Sequence, residues 1–376
     1  MTQVASKTLP DRSGLKSLTE SALTLPAHYY FDKDIFEREK TTIFYRAWQL
    51  AGHLEQVASP GDYFTAKIAD QNAIVIRGKD QVLRAFHNVC SHRAHQLLTG
   101  SGNVKSIVCP YHAWSYSIEG SLRSARHQDE VANFEAALFC LKPIRLEVLC
   151  NFIFLNLDTS APGLAEQAPT LEAEIRKAVP ELDELTHAHR LRYEIAANWK
   201  TLVDNYLECY HCPVAHPAFN QTFDIGKYKL TNRGVYSIQG RVLNPDAASA
   251  DDFTYTEHSS WWVWPNICVP RFPGRSMMVK YLIPLGPERT LQMNDIYLPS
   301  KTPSDEEIEN IHWIERVAGV EDKSLVERVQ EGLHSRGYDR GTLMIDPKQS
   351  AGWSEHGVYH FQSLVEKALA ADLSAA

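Results

Sequence analysis

From Asp32 to Trp48 the apolar residues Ile35, Phe36, Ile43, Phe44 and Trp48 recur at helical spacing, which predicts an amphipathic leading helix. The period then shortens to two. Tyr63 to Ile68, Ala73 to Arg77 and Val82 to Asn88 are short β-branched or aromatic runs divided by Asp70-Gln71-Asn72 and Gly78-Lys79-Asp80, the punctuation of hairpins. Ser106 to Cys109, Ala113 to Ile118 with a turn at Glu119-Gly120, and Asn151 to Asn156 are further strands, and the polar run from Asp158 to Gly163 reads as a linker. After it, Leu164 to Leu182 and Asn198 to Tyr210 read as helices. Tyr236 to Arg241, Ser259 to Val263, Ser276 to Ile283 and Thr290 to Leu298 alternate as in an antiparallel sheet. Ser304 to Leu333 carries Ile308, Ile311, Ile314 and Val317 at helical spacing and is expected to be one long helix. The expected class is α+β: an N-terminal helical segment over 1–45 packed on the catalytic part, an all-β domain over 46–158, and a catalytic domain over 159–376 with an antiparallel sheet flanked by helices.

Composition adds bounds. The 376 residues are 44% hydrophobic, 22% charged and 10% aromatic, which excludes a disordered or disulfide-scaffold chain and fits two or three domains. Bases number 38 and acids 46, for a formal net charge of -8, so neither nucleic acid nor an anionic membrane is an expected partner. Seven Cys, no apolar leader at the N-terminus and no apolar run of transmembrane length point to a cytoplasmic, reducing compartment, where thiols are metal ligands or small buried hydrophobes.

Two segments carry chemistry. Cys90-Ser91-His92 is answered downstream by Cys109-Pro110-Tyr111-His112, each pair at the end of an expected strand, with Trp114 and Gly120 flanking the second. Two thiolates and two imidazoles suit a tetrahedral zinc or a Rieske [2Fe-2S] cluster. The single-residue spacer of Cys-x-His, then Cys-x-x-His, is the Rieske arrangement. His87 and His95 do not fit the ligand spacing. The second segment, Asp204 to His216, holds His211 and His216, and Pro213 between them breaks the helix so that both imidazoles can turn to one ion. With one carboxylate they complete the facial triad of a non-haem Fe(II) oxygenase. Cys209-x-x-Cys212 has the spacing of a redox or zinc pair, but no second pair answers it; Cys140, Cys150 and Cys268 read as small buried hydrophobes.

With these motifs the chain resembles the Rieske non-haem iron oxygenases over nearly its whole length, from the leading helix to Ser354-Glu355-His356-Gly357. The resemblance implies that Cys90, His92, Cys109 and His112 bind the cluster and that His211 and His216 bind mononuclear Fe(II). It also implies a third iron ligand from a C-terminal helix, for which Asp322 is the choice over Glu321 and Glu327. In this family the acid three residues before the first iron His, here Glu208, bridges to a cluster His of a neighbouring subunit in a ring of three; Asn205 is grouped with it as a catalytic candidate. Glu in place of the commoner Asp resembles the branch that oxidises carnitine and betaines. So does Ala113, where the wider family has Gly. The implied reaction is hydroxylation of a carbon beside a quaternary or N-methylated nitrogen, followed by C–N cleavage.

No Gly-x-Gly-x-x-Gly follows a strand, so electrons from NAD(P)H are expected through a separate flavin and iron-sulfur reductase. Tyr210, Trp261, Trp262 and Trp264 are candidates for the aromatic faces that hold a quaternary ammonium, and Arg271 and Arg275 for a substrate carboxylate. Two competing readings are an aromatic ring hydroxylase or O-demethylase on the same scaffold, and an electron-transfer Rieske protein; the long segment after Asp158 counts against the latter.

Overall fold

The computed structural model describes residues 22–242, 244, 257–271, 276–314, 316 and 320–373. They form two units: Ile43–Asp183, and the described residues up to Thr42 together with those from Glu184 onward. The boundary therefore falls later than the linker at Asp158. Trp48 Nε1 donates to Pro162 O at 3.0 Å, Leu164 N to Glu147 Oε2 at 2.7 Å and Asn151 Nδ2 to Asp183 Oδ1 at 3.0 Å, and these bonds tie the segment after the linker to the first unit.

The first unit is built from β1 (Gln49–His53), β2 (Asp62–Ile68), β3 (Gln71–Arg77), β4 (Leu83–His87), β5 (Ser101–Asn103), β6 (Ile107–Val108), β7 (Ser115–Tyr116), β8 (Leu122–Ser124), β9 (Pro143–Leu149) and β10 (Phe152–Asn156). Seven strands run β1-β10-β9-β4-β3-β2-β5, and β6-β7-β8 form a separate small sheet. Strand β3 sorts its side chains by pleat: Ile74 and Ile76 join a core with Cys90, Cys109, Trp114 and Tyr116, while Ala73 and Val75 face Phe64, Ile153 and Leu155. Buried on both faces, it reads as a continuous apolar run.

The second unit holds β11 (Thr186–Ile195), β12 (Lys229–Arg233), β13 (Tyr236–Val242), β14 (Glu257–Val263), β15 (Ile267–Pro270), β16 (Met277–Gly286) and β17 (Arg289–Leu298). All pairs are antiparallel, in the order β11-β17-β16-β15-β14-β13-β12. The Trp199–Tyr206 and His356–Leu373 helices meet this sheet at Phe361, whose ring lies edge-on to Trp199 at 5.5 Å and to Trp262 at 5.6 Å. No helix among the described residues is long and apolar enough to cross a membrane.

The expected helices come out shorter: Leu164 to Leu182 yields Leu164–Gln167 and Leu171–Ala178, and Asn198 to Tyr210 yields Trp199–Tyr206. The leading helix spans only Lys33–Glu39, started by Asp32, and a wider π-type turn takes over at Lys40–Phe44. There the hydroxyls of Thr41 and Thr42 both donate to Arg38 O and compete with the main-chain ladder. Of the expected long C-terminal helix, the described residues give α-helix at Asp305–Ile314 and Asp322–Leu333 and wider π-type turns at 316 and 320–321; the rest of the stretch between them lies outside the described residues.

Glu39 and Lys200 form a wholly buried ion pair at 2.5 Å, and Glu39 also accepts from Trp199 Nε1 at 2.8 Å. Replacing Glu39 by Leu strands the Lys200 ammonium without its counter-charge. The expected loss is about 3–5 kcal/mol, read as a shifted urea midpoint of the second unit; an unshifted midpoint would show that the pair carries no stability.

Candidate metal centres and their surroundings

In the first unit, two loops of the same design bring the cluster candidates together. Cys90 N donates to His95 O at 2.8 Å and Ala94 N to Cys90 O at 3.1 Å; Cys109 N donates to Trp114 O at 2.8 Å and Ala113 N to Cys109 O at 3.0 Å. Ala94 and Ala113, the fifth residue of each loop, lie in the left-handed region at φ +58° and +60°. Glycine adopts that conformation without strain, and at Ala113 it delays the expected Ala113 to Ile118 strand, which begins at Ser115 and spans Ser115–Tyr116. Gly120 closes the β7–β8 turn at φ +98°, where a Cβ would meet the Phe86 ring at 2.5 Å.

The two sulfurs are buried, while His92 is exposed and its ring lies 4.7 Å from that of His112. Trp114 stacks on His92 at 4.8 Å. Tyr116 Oη sits 3.2 Å from Cys90 Sγ, and the Tyr111 and His112 amides donate to Cys109. His112 Nδ1 is buried without a hydrogen-bond partner. Two buried sulfurs, an orphaned imidazole nitrogen and donors aimed at the sulfurs fit a thiolate- and imidazole-bound cluster.

In the second unit, the Trp199–Tyr206 helix starts at Asn198, whose side chain accepts from Lys200 N and whose own N–H donates to Gln330 Oε1 at 2.9 Å. Gln330 belongs to the Asp322–Leu333 helix, so one hydrogen bond sets the register of two ligand-bearing segments. The Trp199–Tyr206 helix stops before Glu208, and Pro213, expected to break it, instead sits in the first turn of the short helix Cys212–Ala215, which Pro217–Thr222 follows with His216 at their junction. His211 Nε2 and His216 Nε2 lie 3.1 Å apart, and Asp322 Oδ1 is 3.0 Å from the latter and 3.7 Å from the former. Ligands at right angles with metal bonds of about 2.1 Å are separated by about 3 Å, so this triangle fits one face of an octahedron. Asp322 Oδ1 is buried without a well-directed hydrogen bond. Burial opposes protonation of both imidazoles, yet Glu208 and Asp322 at His211, and Asp322 and Glu321 at His216, raise both pKa values: surplus negative charge that a cation would balance.

The other acids separate by geometry. Glu208 Oε1 bonds His211 Nδ1, and Oε2 accepts from the Tyr210 and His211 amides, so the carboxylate stands behind the triad and fixes the tautomer of His211. Glu321 does the same for His216, at 2.7 Å from Nδ1. Glu327 accepts from Ala196 N and lies outside the site. Cys209 and Cys212, at the spacing of a redox or zinc pair, are joined to each other by a disulfide and close the turn between Glu208 and His211. Cys150 and Cys268 are buried, which pushes each thiol up to about 12.

Two cavities share Asn205, Glu208 and His211. A narrow one is lined also by Tyr206, Phe219, Arg241, Lys280 and Asp322. The other, of ≈530 Å³, is lined by Tyr30, Asp204, Leu325, Tyr338 and Glu355 among others. Burial raises Asp204 to about 7, although Tyr30 and Gln362 donate to it. None of Tyr210, Trp261, Trp262, Trp264 and Arg271 lines either cavity. Trp262 and Trp264 pack on Phe361, Trp261 points to the opposite face of β14 in the strand alternation, Tyr210 is half exposed, and Arg271 is buried next to Pro270, which does line the narrow cavity. Arg275, and with it part of the Pro270 to Met278 segment, lies outside the described residues.

Comparison with known proteins decides the family. Residues 47–135 match the Rieske [2Fe-2S] domain and residues 182–371 the catalytic domain of the ring hydroxylating alpha subunit. The chain belongs to the Rieske non-haem iron oxygenases. This oxygenase is 41% identical over 351 residues to the carnitine monooxygenase oxygenase subunit of Escherichia coli (strain K12), covering 92% of this chain and 94% of that one. It is 32% identical to the chloroplastic choline monooxygenase of Arabidopsis thaliana, over 92% and 83% of the two chains. Among solved structures, a quaternary ammonium Rieske monooxygenase in complex with L-carnitine superimposes with a TM-score of 0.84 at 39% identity, over 93% and 96% of the chains. Naphthalene 1,2-dioxygenase from a Rhodococcus species, 20% identical with a TM-score of 0.77, shares the fold. The oxygenase thus carries a Rieske [2Fe-2S] cluster and a mononuclear iron.

Sequence reading passed over Glu321, Arg241 and Lys280. Glu321 was visible only as a competitor of its neighbour. Lys280 did leave a signal: it occupies the apolar phase of β16, between Met278 and Leu282, where a charge faces inward.

Proposed function

We propose that this oxygenase hydroxylates a carbon beside the quaternary or N-methylated nitrogen of a carnitine- or betaine-like substrate, after which the C–N bond breaks to release an amine and a carbonyl product. The observation that carries this reading is the near full-length similarity to carnitine monooxygenase oxygenase subunits. In this proposal Cys90, His92, Cys109 and His112 hold the cluster, and His211, His216 and Asp322 hold the iron. The bound iron supplies open positions at which dioxygen is activated. One oxygen atom enters the substrate and the other leaves as water, which takes two electrons and two protons; a separate flavin and iron-sulfur reductase delivers the electrons from NAD(P)H.

Glu208, beside Asn205, orients His211 and offers its second face to an imidazole of a neighbouring subunit, so electrons pass from His112 of one subunit to His211 of the next in a homotrimer. A cytoplasmic location agrees with the reduced thiols such a cluster needs. The test is oxygen consumption with a matched reductase and a panel of carnitine, betaines, choline and apolar arenes. One amine released per O2 from a quaternary ammonium compound is the expected result; uptake with arenes alone sinks the reading.

A further inference from the structure

Lys280 is 7% exposed, lines the narrow cavity beside the triad, and has no ion pair or hydrogen bond among the described residues. The contrast lies in the same unit, where the wholly buried Lys200 holds Glu39 at 2.5 Å. A cation that faces a cavity with none of its N–H donors taken up by the protein is a ready partner for an anion that arrives from outside. Asp322, whose Oδ1 is turned to the two imidazoles, feels the Lys280 charge through space but makes no hydrogen bond or ion pair with it.

Arg241 adds a second positive charge to the same cavity. Its guanidinium donates to Ser260 Oγ at 2.8 Å and Gln239 Oε1 at 2.9 Å and lies over the rings of Phe219 and Tyr228. Lys280 itself lies over Tyr206, 5.5 Å from the ring centre. The aromatic faces on this side thus already carry the protein's own cations, and a trimethylammonium group is repelled there rather than attracted.

We propose that Lys280, with Arg241, binds the carboxylate of the substrate, so that this oxygenase selects zwitterionic ammonium acids over ammonium alcohols. The inference rests on the quaternary ammonium reading above and narrows it. It also replaces the aromatic cage expected around Trp261 and Trp262 with recognition at the anionic end. Lys280 is here a specificity-determining residue, and it takes no part in the oxidation.

The test compares Lys280→Met and Lys280→Arg with the wild-type holoenzyme on glycine betaine, carnitine and choline. In the Met variant KM for the carboxylate substrates is expected to rise by about 10- to 100-fold with kcat moved far less, and the preference for betaine over choline to fall by the same factor. The Arg variant should keep the preference. An unchanged betaine-to-choline ratio in the Met variant, or a wild type that oxidises choline and ignores the carboxylates, overturns the inference and leaves the quaternary ammonium reading in place. A wild type that oxidises none of the three overturns that reading instead.

Discussion

Asp322→Ala is expected to lose the mononuclear iron and to oxidise substrate more than about a hundredfold more slowly, with the visible spectrum of the [2Fe-2S] cluster unchanged. Removing a partner that merely orients a metal ligand costs about 10–100-fold in affinity or activity, and Asp322 supplies one of three converging ligand atoms. The spectrum stays because the four cluster candidates belong to the other unit. Iron content by metal analysis and oxygen uptake read the two effects separately. His211→Ala and His216→Ala should behave alike, whereas Glu321→Gln, which touches His216 Nδ1, should retain iron with a milder loss. An Asp322→Ala protein that keeps its iron would move the third ligand to another acid.

Glu208→Gln carries the second large effect: iron and cluster both load, and turnover falls by about 10–100-fold or more. The amide keeps the size of the side chain but donates where the carboxylate accepts, so it opposes the His211 Nδ1–H and cannot hold two imidazole N–H groups at once. Single-turnover product formation from prereduced protein isolates that step from the reductase. Wild-type rates in this variant would show that electrons bypass Glu208, and loss of iron would recast it as a ligand.

Spacing and period reach some parts of this molecule and not others, for physical reasons. The cluster and iron motifs are local, each pair within a few residues, so composition at fixed offsets exposes them. The β-runs at β2, β3, β13 and β17 are apolar enough to read directly. Strands β9 and β11 escape because Pro143-Ile-Arg-Leu-Glu and Thr186-His-Ala-His-Arg pair along exposed or half-exposed faces, where charged residues obscure the alternation. The substrate candidates lie away from the two cavities for a different reason. A Trp-Trp-Val-Trp run says that aromatic side chains cluster, but the pleat sends Trp261 and Trp262 to opposite faces, and only the sheet's partners decide which face meets the iron. Lys280 and Arg241 come from non-adjacent strands, and their convergence is a property of the sheet order.

The repeated loop around Cys90 and Cys109 decides how the cluster site tolerates genetic change. Each sulfur is positioned by main-chain hydrogen bonds that span a fixed number of residues, from the Cys amide to the carbonyl five positions on. Main-chain donors do not depend on side-chain identity, so positions such as Ser91, Arg93 and Pro110 are free to drift without displacing a ligand. Length is another matter: one inserted or deleted residue shifts the left-handed Ala94 or Ala113 out of step with its turn and swings the histidine of that loop away from its partner. Substitutions should therefore accumulate across these loops in functional variants, while insertions and deletions should be eliminated.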